Sequence, residues 1–161
     1  MRAATLVQEI HYDVDEHWRR FLDDDFGRTL NIEGMGFRAF EPLARQETDT
    51  HLVRTYRVTP RLDALLVKFL PDFAYTEEGT FDKQTRTWSS RTIPSLYANR
   101  LTMATVVRAE PDGARRCRRT IDLSVEVRAP SVARLVENAL LRGLREGWDR
   151  AARFMNASAR G

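Results

Sequence analysis

Hydrophobic and polar residues alternate over much of the chain, and the alternation predicts strands. Between residues 3 and 12 the apolar Leu6, Ile10 and Tyr12 share one parity, which is typical of a strand with one buried face. Period-two segments return after residue 36 and predict strands at 37–46, 52–58, 75–81, 85–93, 101–107 and 116–127. In the last strand the odd residues from 121 to 127 are apolar and the even residues from 120 to 126 are polar. The pattern predicts an antiparallel sheet with one buried face and one wet face.

Two parts of the chain, one after the first strand and one at the C-terminal end, have helical rather than strand-like spacing. Asp13 and Asp15 can cap one short helix after the first strand, and the run Asp23-Asp24-Asp25 offers the cap of a second. From Pro130 to about Met155 apolar residues recur every three or four positions, which predicts one long amphipathic helix. This order predicts an α+β fold in which a curved antiparallel sheet of about seven strands wraps around the C-terminal helix.

Length and composition narrow the class of protein. The 161 residues are 42% apolar and 30% charged, which excludes a disordered chain and a membrane-spanning one. No linker or repeat divides the sequence, so we expect one domain at 1–156 and a short tail at 157–161. No apolar block of the signal-peptide kind follows Met1, and Cys117 is the only cysteine. We therefore expect a cytoplasmic protein without an internal disulfide.

The net charge is basic, with 26 Lys and Arg against 23 Asp and Glu and an isoelectric point near 9.4. A nucleic-acid surface normally concentrates positive charge on one face, whereas these residues are interleaved with acids along the chain. The one dense run, at 115–119, follows the turn Pro111-Asp112-Gly113 and should lie at a hairpin end. It is either a solvated rim, which we favour, or a docking patch for anionic lipid or nucleic acid. We predict no nucleic-acid partner, because no recognition helix, zinc spacing or RNA-binding motif accompanies the charge.

Candidate catalytic and metal-binding residues are few. His11, His17 and His51 lie in separate predicted elements without metal-ligand spacing, and the run 23–25 of aspartates favours a helix cap over a metal site. The four arginines around Cys117 could lower the pKa of its thiol, but no partner His or second Cys accompanies it. We predict no metal, no cofactor and no catalytic set.

The order of elements resembles the START-like (SRPBCC, helix-grip) superfamily, which also contains birch-pollen-type allergens and polyketide cyclases. The resemblance is carried by the Val58-Thr59-Pro60 strand exit and the apolar segment after it, the segment from Tyr75 to Asp82, Thr87-Trp88, and the Pro130 to Trp148 helix. These segments are similar to an uncharacterised bacterial START-like family and to PRELI-type and VASt-type lipid-transfer domains. The resemblance implies a cavity between sheet and helix that takes a lipid, sterol, isoprenoid or polyketide, and it supplies no catalytic set.

Two glycines lie where the long helix would border such a cavity. Gly143 and Gly147 each cost about 1 kcal/mol relative to Ala in a helix interior. They either thin the helix beside a ligand or let a large strand residue such as Trp88 approach closely.

One polar pair bears on the same cavity. A regular register across the connection at 60–73 pairs Tyr56 with Tyr75, Arg54 with Glu77 and Val58 with Phe73. Arg54 then faces inward, where an unpaired charge costs several kcal/mol, and Glu77 would neutralise it. The pair is either the polar end of a pocket, binding a headgroup, carboxylate or hydroxyl, or an ordinary surface pair across two strands.

The connection at 60–73 is unusually long and apolar for a link between two strands. It is either a lid, whose stretch from Leu62 to Leu70 makes transient contact with a membrane surface, or a helix that caps the core.

We predict that the chain binds, and as a further step transfers, a hydrophobic or amphipathic small molecule of lipid, sterol or isoprenoid type in the cavity. One alternative is a polyketide cyclase or aromatase-like enzyme that uses Arg54, Glu77 and either Tyr56 or Tyr75. Another is a membrane- or protein-docking module with a packed core. The predicted ligand-binding residues are Met35, Phe37, Arg54, Tyr56, Phe69, Phe73, Tyr75, Glu77, Trp88, Met103, Leu140, Gly143, Leu144, Gly147 and Trp148.

Overall fold

Seven antiparallel strands form one sheet in the order β1-β7-β6-β5-β4-β3-β2. The computed structural model describes residues 1–95 and 99–160. The strands are β1 Arg2–Ile10, β2 Ala39–Glu47, β3 His51–Thr59, β4 Tyr75–Asp82, β5 Thr87–Pro94, β6 Leu101–Pro111 and β7 Cys117–Val127. The helices are α1 Val14–Phe21, α2 Asp24–Thr29, a π-helical turn at Leu30–Gly34, α3 Ala64–Phe69 and α4 Ala133–Ala159.

Aspartate caps begin each of the three short α-helices. The side chains of Asp13, Asp23 and Asp63 each accept a hydrogen bond of 2.8 Å from the backbone N–H three residues later. Each bond satisfies one of the N–H groups that a helix N-terminus leaves free. The two predicted caps are confirmed, with Asp13 rather than Asp15 at the first helix and Asp23 at the second, and Asp63 starts a helix within the apolar connection.

The inner face of the sheet packs on α4, as predicted. Alternate residues of β3, β6 and β7 are buried, and α4 lies against β1, β7 and the π-helical turn. The α+β helix-grip prediction is therefore confirmed. Helix α4 runs on through Ala159 and so includes most of the segment predicted as a tail, whose last residue lies outside the described residues.

The predicted register of β3 and β4 is wrong by two residues. Tyr56 faces Glu77, and Arg54 faces Gly79 instead of Glu77. A shift of two residues leaves every side chain on its own face, so the hydrophobic pattern cannot detect it. On its other side Gly79 of β4 lies beneath Trp88 of β5, where a Cβ would lie 1.8 Å from the indole ring. Only glycine leaves room for that ring.

No helix among the described residues is long and apolar enough to cross a membrane.

Candidate functional site

A cavity of about 490 Å³ opens between α3, the segment after the π-helical turn, and the middle of α4. We call it the outer cavity. Its sheet side is formed by Phe73, Tyr75 and Met103, and its α4 side includes Leu140 and Gly143. Charged side chains of both signs surround its opening, and they are Glu33, Arg61, Asp63, Arg142, Glu146 and Arg150. The outer cavity is therefore apolar inside and charge-balanced at its mouth.

A smaller space of about 60 Å³, the inner chamber, adjoins the outer cavity. The two share the five residues Met35, Phe37, Tyr75, Met103 and Leu144 as a common boundary. The inner chamber differs in being lined by several polar side chains, which are Asn31, Arg54, Tyr56, Glu77, Thr92 and Thr105. Together the two spaces form an apolar compartment with a polar end.

Thirteen of the fifteen residues predicted from the sequence to bind ligand line one of these two spaces. Phe73, Leu140 and Gly143 line the outer cavity only; Arg54, Tyr56, Glu77, Trp88 and Trp148 line the inner chamber only; the other five form the boundary. Phe69 instead lines a separate cavity of about 230 Å³ beside Leu101 and Val136. Gly147 lies beneath Met35, whose methyl group would be 3.3 Å from an added Cβ.

The two glycines of α4 have different surroundings. An added Cβ on Gly143 would meet no described atom within 4 Å, so the helix surface there is open to the outer cavity. The alternative that these glycines admit Trp88 is wrong, because the indole packs on Gly79 of the neighbouring strand. The glycine that makes room for Trp88 therefore lies on β4, whereas the alternative placed it on the long helix.

Arg54 is buried in the inner chamber, with only 5% of its surface exposed. Its Nη1 lies 3.5 Å from a carboxylate oxygen of Asp24, and its Nη2 donates to the carbonyl oxygen of Phe21 at 3.2 Å. The guanidinium also lies over the Trp88 ring, 4.8 Å from its centroid. The predicted direct pairing with Glu77 is wrong: the carboxylate partner is Asp24, from the aspartate run predicted to cap a helix.

Glu77 and two tyrosines are shifted toward their protonated forms. Burial raises the pKa of Glu77, although the hydroxyls of Ser90 and Tyr56 and the charge of Arg54 partly offset the rise. Burial also raises the pKa of Tyr56 and Tyr75 well above 10, and the nearby Glu77 adds to both shifts. The tyrosines are therefore neutral hydrogen-bond donors at physiological pH.

A second buried arginine was missed by the sequence reasoning. Arg119 is fully buried and donates two bonds to the side-chain oxygen of Gln8, at 2.7 and 3.1 Å. Its guanidinium lies 5.1 Å from the centroid of the Trp148 ring, which lines the inner chamber. Burial lowers the pKa of Arg119 to about 10, so it stays charged at neutral pH.

The run at 115–119 is thus only partly the predicted solvated rim. Arg115, Arg116 and Arg118 are exposed, whereas Cys117 and Arg119 point into the core. Burial raises the pKa of the Cys117 thiol to about 11, so the depressed pKa considered from its neighbours is wrong. The signal was present, because both residues share the odd parity of the apolar residues that follow them in β7.

Metal binding finds no support in the described part of the chain. No group of three His, Cys, Asp or Glu side chains there lies close enough together to hold an ion. His17 is fully buried beside Trp18 and Phe21, and burial keeps its pKa well below 6.5. It is a neutral core residue.

Comparison with protein families decides where the chain belongs. Residues 5–157 match a family model described as a protein of unknown function (DUF2505). The chain belongs to the DUF2505 family. No curated protein matches this DUF2505 sequence.

Solved structures share the fold of this DUF2505 chain at low sequence identity. TTHA0849 from Thermus thermophilus is 12% identical with a TM-score of 0.74, and the match covers 98% of this chain and 97% of that one. The Zhui aromatase/cyclase from Streptomyces sp. R1128 is 13% identical with a TM-score of 0.69, covering 99% and 93%. A START superfamily protein from Mycobacterium smegmatis is 11% identical with a TM-score of 0.64, covering 95% and 98%. The resemblance to the START-like superfamily is therefore confirmed for the fold.

Proposed function

We propose that the chain binds a hydrophobic or amphipathic small molecule, with its apolar body in the outer cavity and its polar end in the inner chamber. The observation that carries the proposal is the outer cavity of about 490 Å³ that adjoins a polar chamber. Its volume lies within the usual range for small-molecule sites, and an apolar wall with a few convergent polar groups is typical of such sites.

The packed-core docking module is disfavoured by the same cavity, since that alternative requires a filled interior. The finer proposal is a lipid-, sterol- or isoprenoid-like ligand that the chain carries in the cytoplasm and exchanges at membrane surfaces. Two features of α3 support it. Leu66 lines the outer cavity, and the neighbouring Val67 is exposed beside the cation Lys68. Such a helix can present apolar and basic side chains to a membrane surface.

A cyclase-like enzyme is the second candidate. The observation that favours it is Glu77, a carboxyl group of raised pKa that lies beside Tyr56 in the inner chamber. A carboxyl group tuned toward neutrality can act as a general acid or base on a bound molecule. The Zhui protein, an aromatase/cyclase, has the same fold.

Native mass spectrometry of the protein purified from cells tests the proposal. We expect a co-purified hydrophobic adduct, or uptake of added fatty acid, sterol or isoprenoid alcohol. The Gly143→Leu variant should lose most uptake, because the new side chain projects into the outer cavity. Arg145→Leu is the matched control, since it places the same side chain on α4 at a position that does not line either space.

Each result has a defined meaning. A bare protein mass before and after lipid addition would contradict ligand binding. Equal uptake by Gly143→Leu and Arg145→Leu would place the ligand outside the outer cavity. A retained molecule whose mass differs from that of the molecule supplied would favour the enzyme.

A further inference from the structure

Arg54 enters the inner chamber with most of its hydrogen-bonding capacity unused. A guanidinium has five N–H donors, yet only two bonds to acceptors are formed within the described residues, to Asp24 at 3.5 Å and to the Phe21 carbonyl at 3.2 Å. The Nε of Arg54 is buried and has no partner there. Buried donors are costly to leave unpaired, and no described acceptor lies within bonding distance of this one.

Asp24 is a poor partner for Arg54. Its carboxylate is shared with Arg45, whose Nη1 lies 3.3 Å away, and it is partly exposed to solvent. Charge-assisted bonds normally measure about 2.7–2.9 Å, so a contact of 3.5 Å leaves the guanidinium incompletely paired. The contact with the Trp88 ring holds the group in place without supplying an acceptor atom.

Tyrosine phenols supply further donors around the chamber. The phenol groups of Tyr56 and Tyr75 line it, and both stay protonated because burial raises their pKa. Glu77 is the one carboxyl group among the described lining residues; burial raises its pKa, and the hydroxyls of Ser90 and Tyr56 donate to it. The unpaired N–H groups of Arg54 and the phenol of Tyr75 are therefore among the donors left for a ligand in a space of about 60 Å³.

We propose that the inner chamber binds a carbonyl oxygen, of a ketone or of a carboxyl group, at the polar end of the ligand. This inference rests on the proposed function and names its ligand class. A carbonyl oxygen has two lone pairs and no proton, so it can accept from the unpaired N–H groups of the Arg54 guanidinium and from the Tyr75 phenol. An ammonium group would place a second positive charge beside the buried guanidinium, and a hydrocarbon end would leave the donors unpaired.

Calorimetric titration with four matched naphthalenes tests the inference. The probes are acetylnaphthalene, naphthoic acid, ethylnaphthalene and naphthylethylamine, all substituted at the same ring position. They share an aromatic body for the outer cavity and differ in the group offered to the chamber. We expect the ketone or the acid to bind about tenfold or more tightly than ethylnaphthalene, which is the effect of one hydrogen bond to a charged donor. The amine should bind most weakly.

Arg54→Met removes the donor and Arg45→Met is its control. Arg45 has the same kinds of partner, Asp24 and an α1-terminal carbonyl oxygen, that of Leu22, but it is exposed and lies outside the chamber. In Arg54→Met we expect the carbonyl probes to fall to within about twofold of ethylnaphthalene, whose own affinity is retained. In Arg45→Met the tenfold difference should persist.

The outcomes separate this inference from the proposed function. Tight binding of ethylnaphthalene, equal to that of the ketone and the acid in the unmodified protein, would overturn the carbonyl assignment and leave ligand binding intact. Preference for the amine would do the same. Failure of all four probes, ethylnaphthalene included, would count against both proposals. If naphthoic acid binds more tightly than acetylnaphthalene, the ligand class is a carboxylate. If acetylnaphthalene binds more tightly, the ligand class is a neutral carbonyl compound, and either result supports the inference. The ranking in the unmodified protein decides the matter even where Arg54→Met does not fold.

Discussion

Gly79 determines the shape of the inner chamber through the residue that it admits. The Trp88 ring occupies the place of a Cβ at position 79, and the guanidinium of Arg54 lies on the Trp88 ring. Cross-strand pairing sets Arg54 directly opposite Gly79. One missing side chain therefore positions both a wall of the chamber and its cation.

Gly79→Ala should destabilise the fold by about 1–3 kcal/mol, the usual cost of overpacking a core. The added methyl would lie 1.8 Å from a fully buried indole, which must move. Urea unfolding measures the free-energy change, and near-ultraviolet circular dichroism reports the displaced tryptophan. Gly143→Ala is the control, since it meets no atom within 4 Å and should stabilise α4 by up to about 1 kcal/mol. Equal effects of the two substitutions would mean that the indole has room to relax.

Side-chain parity predicted which residues of the candidate site face inward, but it did not predict their cross-strand partners. Parity places Arg54, Tyr56 and Glu77 on the inner face, and the structure has them there. The residue that each of them faces on the neighbouring strand depends on the register of β3 and β4, which parity does not determine. The predicted partner of Arg54 was therefore wrong. The same parity would have turned Arg119 inward, but the turn before it and its charged neighbours indicated a rim.

At the scale of elements, α3 and α4 meet across the mouth of the outer cavity. Arg142 of α4 lies 3.7 Å from the carboxylate of Asp63, which also caps α3. Both side chains are largely exposed, so the pair adds little to the stability of the fold. Its position suggests a different role, since it links the two helices that a ligand must pass between.

Asp63→Asn should speed release of a bound probe by about two- to fivefold at low salt while leaving the melting temperature nearly unchanged. Asparagine caps a helix about as well as aspartate, so only the ion pair to Arg142 is lost. Stopped-flow fluorescence of ethylnaphthalene release measures the rate. Added salt should raise the rate of the unmodified protein toward that of the variant, because salt screens exposed ion pairs. Identical release rates at low salt would show that the pair does not control access.

The elements themselves were largely readable from the sequence. Strand and helix periods, together with the aspartates at 13–15 and 23–25, predicted the order of strands and helices that the structure has. The existence of the cavity followed only from the family resemblance, because its volume depends on how far the sheet curves away from α4. No local pattern encodes that distance.

At the scale of the whole molecule, two buried cations lie at the ends of one aromatic row. Arg119 packs on Trp148, which stacks on Phe21 at 6.4 Å, and Phe21 meets Trp88 at 5.6 Å beneath Arg54. The row crosses from β7 through α4 and α1 to β5 and β3. It joins the two ends of the chain, because Arg119 also bonds to Gln8 of β1 and Gln8 bonds to Asp149 of α4 at 3.0 Å.

A double-mutant cycle on Gln8 and Arg119 measures how strongly their hydrogen bonds couple β1 to β7. Gln8→Leu alone leaves a fully buried guanidinium without its oxygen acceptor, and we expect a loss of about 3–5 kcal/mol in the free energy of unfolding. In an Arg119→Met background the same substitution should cost less than about 1 kcal/mol, because no buried charge remains to be satisfied. The coupling between the two sites should therefore reach about 2 kcal/mol or more. Additive losses would mean that Gln8 does not hold Arg119 in place.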